Sequence, residues 1–157
     1  AALLLVEIAF DCKKEGTSLE QKLEGISAEY GHHSVKTIRV RFGSNQPTAY
    51  LNAIMQGLRN KPPTELTVGK IVRVTDYMKD DIHSKLPADN LIRFETDQGV
   101  RILIRPSGTE PMIKIYMEKV TDVLNREHIN NIEKQSQTLL GSLALEIEQI
   151  LRSYQIV

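Results

Sequence analysis

Val100-Arg101-Ile102-Leu103-Ile104-Arg105 and Met112-Ile113-Lys114-Ile115-Tyr116-Met117 flank a short connection, Pro106-Ser107-Gly108-Thr109-Glu110-Pro111. In the first run Ile102 and Ile104 share one face. In the second, Ile113, Ile115 and Met117 share a face, with Lys114, Tyr116 and Glu118 opposite. Period-two alternation marks a half-buried strand. The two runs are expected to pair, with Ile102, Ile104, Ile113 and Ile115 turned toward helices and the connection at one end of the sheet.

Working outward, Ile71 to Tyr77 and Leu91 to Glu95 read as two further strands, and Thr96-Asp97-Gln98-Gly99 is a hairpin turn signal. Tyr50, Leu51, Ile54 and Leu58 make one helix face, stopped by Lys61-Pro62-Pro63. A long helix begins near Ile129, with Ile132, Leu139, Leu140, Leu143, Ile147, Ile150 and Leu151 as its apolar stripe. Residues 43–157 thus predict an α+β domain, a four-stranded, mainly antiparallel sheet covered on one face by two helices.

Upstream, Ala1 to about Lys14 reads as a helix with Leu3, Val6 and Phe10 at helical spacing. It is apolar nearly all round, which predicts burial on several sides. Gly16 stops it, Thr17 or Ser18 caps a second helix to about Tyr30, and Gly31 ends that one. From Val35 to Phe42 a strand follows, with Val35, Thr37, Arg39 and Arg41 on one face and Lys36, Ile38, Val40 and Phe42 on the other. Helix, helix and strand do not complete a domain. Gly43-Ser44-Asn45-Gln46-Pro47 is the candidate boundary, leaving residues 1–42 as the remnant of another domain. With no initiator methionine and a start inside a helical pattern, the chain is expected to be a piece of a longer protein.

The 157 residues are 41% hydrophobic, enough for a buried core. Twenty basic and twenty acidic residues cancel, which argues against nucleic-acid binding, as do three Phe and no Trp. The opening apolar run is broken by Glu7 and Asp11 and lacks a basic lead, so neither a signal peptide nor a membrane span is expected. Cys12 alone forms no intrachain disulfide and reads as a buried structural thiol, fitting a cytoplasmic origin. His32-His33 read as a solvated turn pair, and His83 and His128 stand isolated. Asp76, Asp80 and Asp81 read as surface charge, and Arg39, Arg41 and Arg59 as surface charge or a basic patch, so no metal site is expected.

The connection itself suits a bound phosphate. Arg105 offers a planar fork of donors, Ser107 and Thr109 add short hydroxyls, and Gly108 permits positive φ and close main-chain approach. Pro106 and Pro111 stiffen both ends, and Glu110 is expected to brace Arg105 or Lys114. The alternative is a plain turn with Arg105 in a surface ion pair.

As a string, Arg105-Pro106-Ser107-Gly108-Thr109-Glu110-Pro111 resembles the phosphate-binding loop of the α-D-phosphohexomutase superfamily, the phosphoglucomutases and phosphomannomutases. Leu86-Pro87-Ala88-Asp89-Asn90-Leu91-Ile92-Arg93-Phe94 is similar to the same family, and Ala1-Ala2-Leu3-Leu4-Leu5 resembles a helix of its third domain. The resemblance implies that residues 43–157 are the TATA-box-binding-protein-like fourth domain and residues 1–42 the end of an α/β third domain. It implies an isomerase of carbohydrate metabolism, a phosphomutase in which a phosphoserine elsewhere in the polypeptide exchanges phosphate with a hexose monophosphate. That parent would use magnesium and glucose 1,6-bisphosphate, and domains one to three would be this chain's partners. Arg105, Ser107, Gly108 and Thr109 would hold the substrate phosphate, with Glu110 and Lys114 in support. Lysine is common in the family where Met112 stands, and the nucleophile and metal motifs are absent from the chain. The chain alone is therefore expected to be inactive and to self-associate through residues 1–10; the other reading is a free-standing module that binds phosphate or sugar phosphate.

Overall fold

A computed structural model describes residues 1–43, 48–79, 88–125 and 128–154. The chain divides into two compact units, Ala1–His33 with Val120–Gln135, and Ser34–Lys119 with Ser136–Val157. Most of the proposed boundary at Gly43–Pro47 lies outside the described residues, as do Asp80, Asp81, His83, Leu86 and Pro87.

The first unit holds α1 (Ala2–Lys14) and α2 (Leu19–Tyr30). Of the two candidate caps, Ser18 is the one used. Its hydroxyl accepts from the Gln21 N–H while the Gln21 side chain accepts from the Ser18 N–H, a reciprocal capping box. Cys12 is buried, as expected, at 2% exposure. The rest of α1 is not: Leu3 is 74% exposed and Phe10 59%. Within this unit α1 packs chiefly against α2, which leaves most of its apolar surface uncovered.

The second unit is built on a sheet of six strands among the described residues, in the order β1-β6-β5-β4-β3-β2. They are β1 (His32–Arg41), β2 (Glu65–Leu66), β3 (Gly69–Asp76), β4 (Ile92–Thr96), β5 (Val100–Pro106) and β6 (Met112–Thr121). The four expected strands are all present as β3 to β6, and the count of four is corrected by one strand at each edge. β1, whose alternation is as read, lies beside β6; Phe42 N–H donates to Pro111 C=O at 2.9 Å just past its end. β2 has only two residues, too short to show a period, and pairs antiparallel with β3.

Helices α3 (Thr48–Asn60) and α4 (Ile129–Ser153) supply the covering layer. Leu51, Ile54, Met55 and Leu58 from α3 and Leu140, Leu143, Ile147 and Leu151 from α4 join the sheet's Ile102, Ile104, Ile113 and Ile115 in one core. Gly57 lets α3 come close to the chain's end: a Cβ there would lie 2.8 Å from the Tyr154 ring. The Tyr154 hydroxyl donates to Lys61 C=O, and burial pushes its pKa above the ordinary phenol value.

Two turns use glycine where nothing else fits. Gly99 closes the β4–β5 hairpin at φ 71° and donates to Thr96 C=O at 3.1 Å. Gly69 opens β3 at φ 113°, and a Cβ there would lie 2.2 Å from the Asp97 carboxylate. That carboxylate accepts from Lys70 N–H at 3.0 Å, so it cannot move aside without losing a bond. Gly69→Ala is expected to cost about 1–3 kcal/mol in urea denaturation, from backbone strain alone, before any clash is counted. Gly108→Ala, in contrast, is expected to leave the midpoint nearly unchanged, because a Cβ there meets nothing within 4 Å and its φ is not positive.

Candidate functional site

The β5–β6 pairing sets the site. Ile102 faces Met117, Ile104 faces Ile115 and Pro106 faces Ile113, all turned to the helices. By alternation the other face carries Arg101 opposite Glu118, Leu103 opposite Tyr116 and Arg105 opposite Lys114. The connection of residues 107–111 leaves from the end of this ladder nearest Arg105. Ser107 N–H donates to Met112 C=O at 2.8 Å, closing its base, and Met112 N–H donates to Glu110 C=O at 2.7 Å.

Beyond that base the loop keeps its donors. The main-chain N–H groups of Gly108, Thr109 and Glu110, and the hydroxyls of Ser107 and Thr109, have no acceptor among the described residues. Ser107 is nonetheless only 8% exposed, while Gly108 to Glu110 are open to solvent. Gly108 does not take the positive φ expected of it. Neither its dihedral nor any crowding by the chain explains a glycine there, whereas a ligand lying against the main chain would.

The charges change character along the ladder. Arg101 and Glu118 form a cross-strand ion pair of 3.0 Å. Two pairs further on, Arg105 stands opposite Lys114, and like charges directly opposed across strands destabilise a sheet. Neither is braced by Glu110, contrary to expectation. Instead the Arg105 Nε lies 3.4 Å from the Asp89 carboxylate, with the two side chains 54% and 41% exposed. Glu110 is itself exposed to solvent. Lys114 has no ion-pair partner among the described residues.

Asp89 is itself held firmly. Its N–H donates to Tyr77 C=O at 3.0 Å, and its Oδ1 accepts from Asn90 N–H at 2.8 Å. The next residue is pinned from below: the Asn90 side chain accepts from Arg59 at 2.7 Å and donates to Asn52 at 3.1 Å. Arg59 also pairs with Asp76 at 3.1 Å, both side chains 12% exposed, and the two help line a cavity of about 400 Å³ with Val74, Thr75, Lys79 and Ile92. Arg59 and Asp76, read as surface charge, are therefore a largely buried pair whose disruption leaves a desolvated ion, at a cost of about 3–5 kcal/mol. Pattern reading missed the part played by Asp89 and Asn90. The available signal was register: Ile104, the residue before Arg105, faces Ile92, so a carboxylate just upstream of Ile92 falls beside Arg105.

His32 is also not a solvated turn residue. It opens β1 at 15% side-chain exposure, with Ser27 Oγ at 3.4 Å from one ring nitrogen and Glu133 at 3.0 Å from the other. Ser27 is only 6% exposed in α2, so the trio ties elements of the first unit together and offers no accessible nucleophile. Among the described residues no three His, Cys, Asp or Glu side chains gather as a metal site, and no helix is long and apolar enough to cross a membrane.

Comparison with known proteins gives the family that this domain resembles. Residues 63–135 match the family model for the phosphoglucomutase/phosphomannomutase C-terminal domain. A probable phosphomannomutase of Haemophilus influenzae is 30% identical over 118 residues, covering 75% of this chain and 23% of that protein. A phosphoglucomutase of Staphylococcus epidermidis is 32% identical over 128 residues, 76% of this chain and 23% of its own length. The open-form crystal structure of the exocytosis-sensitive phosphoprotein pp63/parafusin, a phosphoglucomutase from Paramecium, superposes with a TM-score of 0.54 at 20% identity, over 88% of this chain and 24% of that one. The chain thus spans about a quarter of the length of the relatives it matches. Over residues 63–135 the chain thus matches the C-terminal domain of the phosphoglucomutase/phosphomannomutase family, and its fold agrees with that match.

Proposed function

We propose that this chain is the substrate-phosphate-binding part of a hexose-phosphate mutase, and that Arg105, Ser107, Gly108 and Thr109 hold the phosphate that is not being transferred. The observation that carries this reading is the row at the loop mouth. Arg105 and Lys114 are directly opposed on the sheet's uncovered face, beside a loop with unused N–H and hydroxyl donors. A dianion there turns a repulsive pair into two attractive ones and gives the donors acceptors. Lys114 supports by charge, while Glu110 has no such part.

On this reading β2 to β6 with α3 and α4 are the TATA-box-binding-protein-like fourth domain, and residues 1–42, with β1 at the sheet's edge, end the third. The whole enzyme is cytoplasmic and interconverts hexose 1-phosphate and 6-phosphate. A phosphoserine in another domain donates its phosphoryl group to the monophosphate, and the bisphosphorylated sugar, glucose 1,6-bisphosphate for glucose, returns the other. Magnesium would be held by an aspartate-rich loop of a further domain, outside this chain. The loop's contribution is orientation: anchoring the distal phosphate keeps the reacting oxygen in line with the nucleophile.

Binding of glucose 6-phosphate to the chain, followed by amide chemical shifts, is expected to be saturable and millimolar, about −4 kcal/mol. Gly108 and Thr109 signals should move and Arg105→Ala should abolish the response. Unchanged binding in that variant would refute the site. With magnesium and glucose 1,6-bisphosphate, the isolated chain is expected to show no mutase turnover in a coupled assay. Measurable turnover would favour a self-sufficient protein over a part of one.

Exposed Leu3, Leu4, Leu5, Val6 and Phe10 form an apolar surface that other domains of the parent would cover. In the isolated chain this surface is expected to drive self-association. Sedimentation velocity should show a concentration-dependent shift that Leu3→Glu with Val6→Glu removes; a monomer at all concentrations contradicts it.

A further inference from the structure

We infer that Asp89 is a built-in stand-in for the substrate phosphate: its carboxylate holds Arg105 when the loop is empty and gives it up to the incoming dianion. The inference rests on the anion role proposed for the loop and adds a residue to it. Three observations point the same way. Arg105 is the one cation of the opposed pair that has a partner, and that partner is Asp89 at 3.4 Å. Both side chains are substantially exposed, at 54% and 41%, so the contact is weak and open to exchange. The two groups differ in freedom. Asp89 is fixed through its N–H to Tyr77 C=O, through Oδ1 by the Asn90 N–H, and through Asn90 by Arg59. Arg105 has no other side-chain partner among the described residues. The guanidinium is the part able to move, and the carboxylate is the fixed seat it leaves.

Such a seat does two things for a site that must release what it holds. It relieves the repulsion between Arg105 and Lys114 in the empty loop, so the two cations stay in register for the next ligand. It also competes with the phosphate, and this keeps ground-state affinity low. A clamp that bound substrate as tightly as it could would not speed the chemistry and would slow the exchange of one phosphate for the other. The Arg59–Asp76–Asn90 cluster then acts at a distance, by holding the segment that carries Asp89.

The test compares the chain with Asp89→Asn, Arg105→Ala, the double variant and Glu110→Gln, titrating each with inorganic phosphate and with glucose 6-phosphate. Asparagine keeps the Oδ1 acceptor for the Asn90 N–H, so the local fold is retained while the competing charge is lost. Asp89→Asn is expected to bind about two- to fivefold more tightly, the range that loss of an exposed ion pair allows. Glu110→Gln should gain less, and the gain should vanish when Arg105 is also alanine. Equal gains in Asp89→Asn and Glu110→Gln would reduce the effect to net charge and overturn the inference. Weaker or unchanged binding by Asp89→Asn, with Arg105→Ala still losing phosphate, would overturn it and leave the anion site standing. No saturable binding by any variant would remove the site and the stand-in together. A measurement on the unaltered chain needs no variant to fold: the Arg105 Nε–Hε signal should titrate with the Gly108 and Thr109 amides. An Arg105 signal that stays still while those amides move would also overturn the inference.

Discussion

The cross-strand register between β5 and β6 is the constraint on which the site depends. With Ile104 opposite Ile115, the residues on either side are committed: isoleucines enter the core and Arg105 meets Lys114 on the uncovered face. A slip of one residue would turn every side chain of one strand to the other face, driving a lysine or arginine into a core whose members are almost fully buried. Core packing and the placement of the cations are therefore one structural decision. The hydrophobic term holds the register, and the register holds together two charges that would otherwise separate.

Charge is balanced differently at the two ends of this strand pair. At the far end Arg101 and Glu118 neutralise each other. At the loop end the balance comes from outside the strand pair, through Asp89, whose segment is tied to α3 by Arg59, Asn52 and Asn90. A largely buried ion pair such as Arg59–Asp76 adds little net stability against an apolar replacement, but it specifies one position for the segment it joins. The specificity matters here, because a carboxylate displaced by one or two ångströms would no longer meet Arg105. Polar contacts in this fold thus set geometry, and the apolar core supplies the free energy.

The two compact units show the same division. The second completes a layered core with sheet and helices. The first carries an α1 helix most of whose apolar side chains stay exposed. Local periodicity marks α1 as a helix, while the burial of its apolar side chains is not settled by local sequence.

Much of this was legible before any coordinates. Alternation in residues 100–105 and 112–117 placed β5 and β6, helical stripes placed α3 and α4, and prolines and glycines marked the ends, because side-chain periodicity is a local property of the backbone. The donors of the loop at Arg105–Pro111 were readable for the same reason, being carried on neighbouring residues. Strand β2 was not, since two residues show no period, and neither was the edge position of β1. Nor did sequence reveal that Arg105 would turn to Asp89 and not Glu110, that Arg59 and Asp76 would be buried together, or that His32 would bridge Ser27 and Glu133. Each of these joins residues brought together by register and packing. The sequence by itself determined the long, periodic elements and the run of donors at Arg105–Pro111; only the tertiary structure decided which charges face one another, because partners are chosen by the whole core settling into one register.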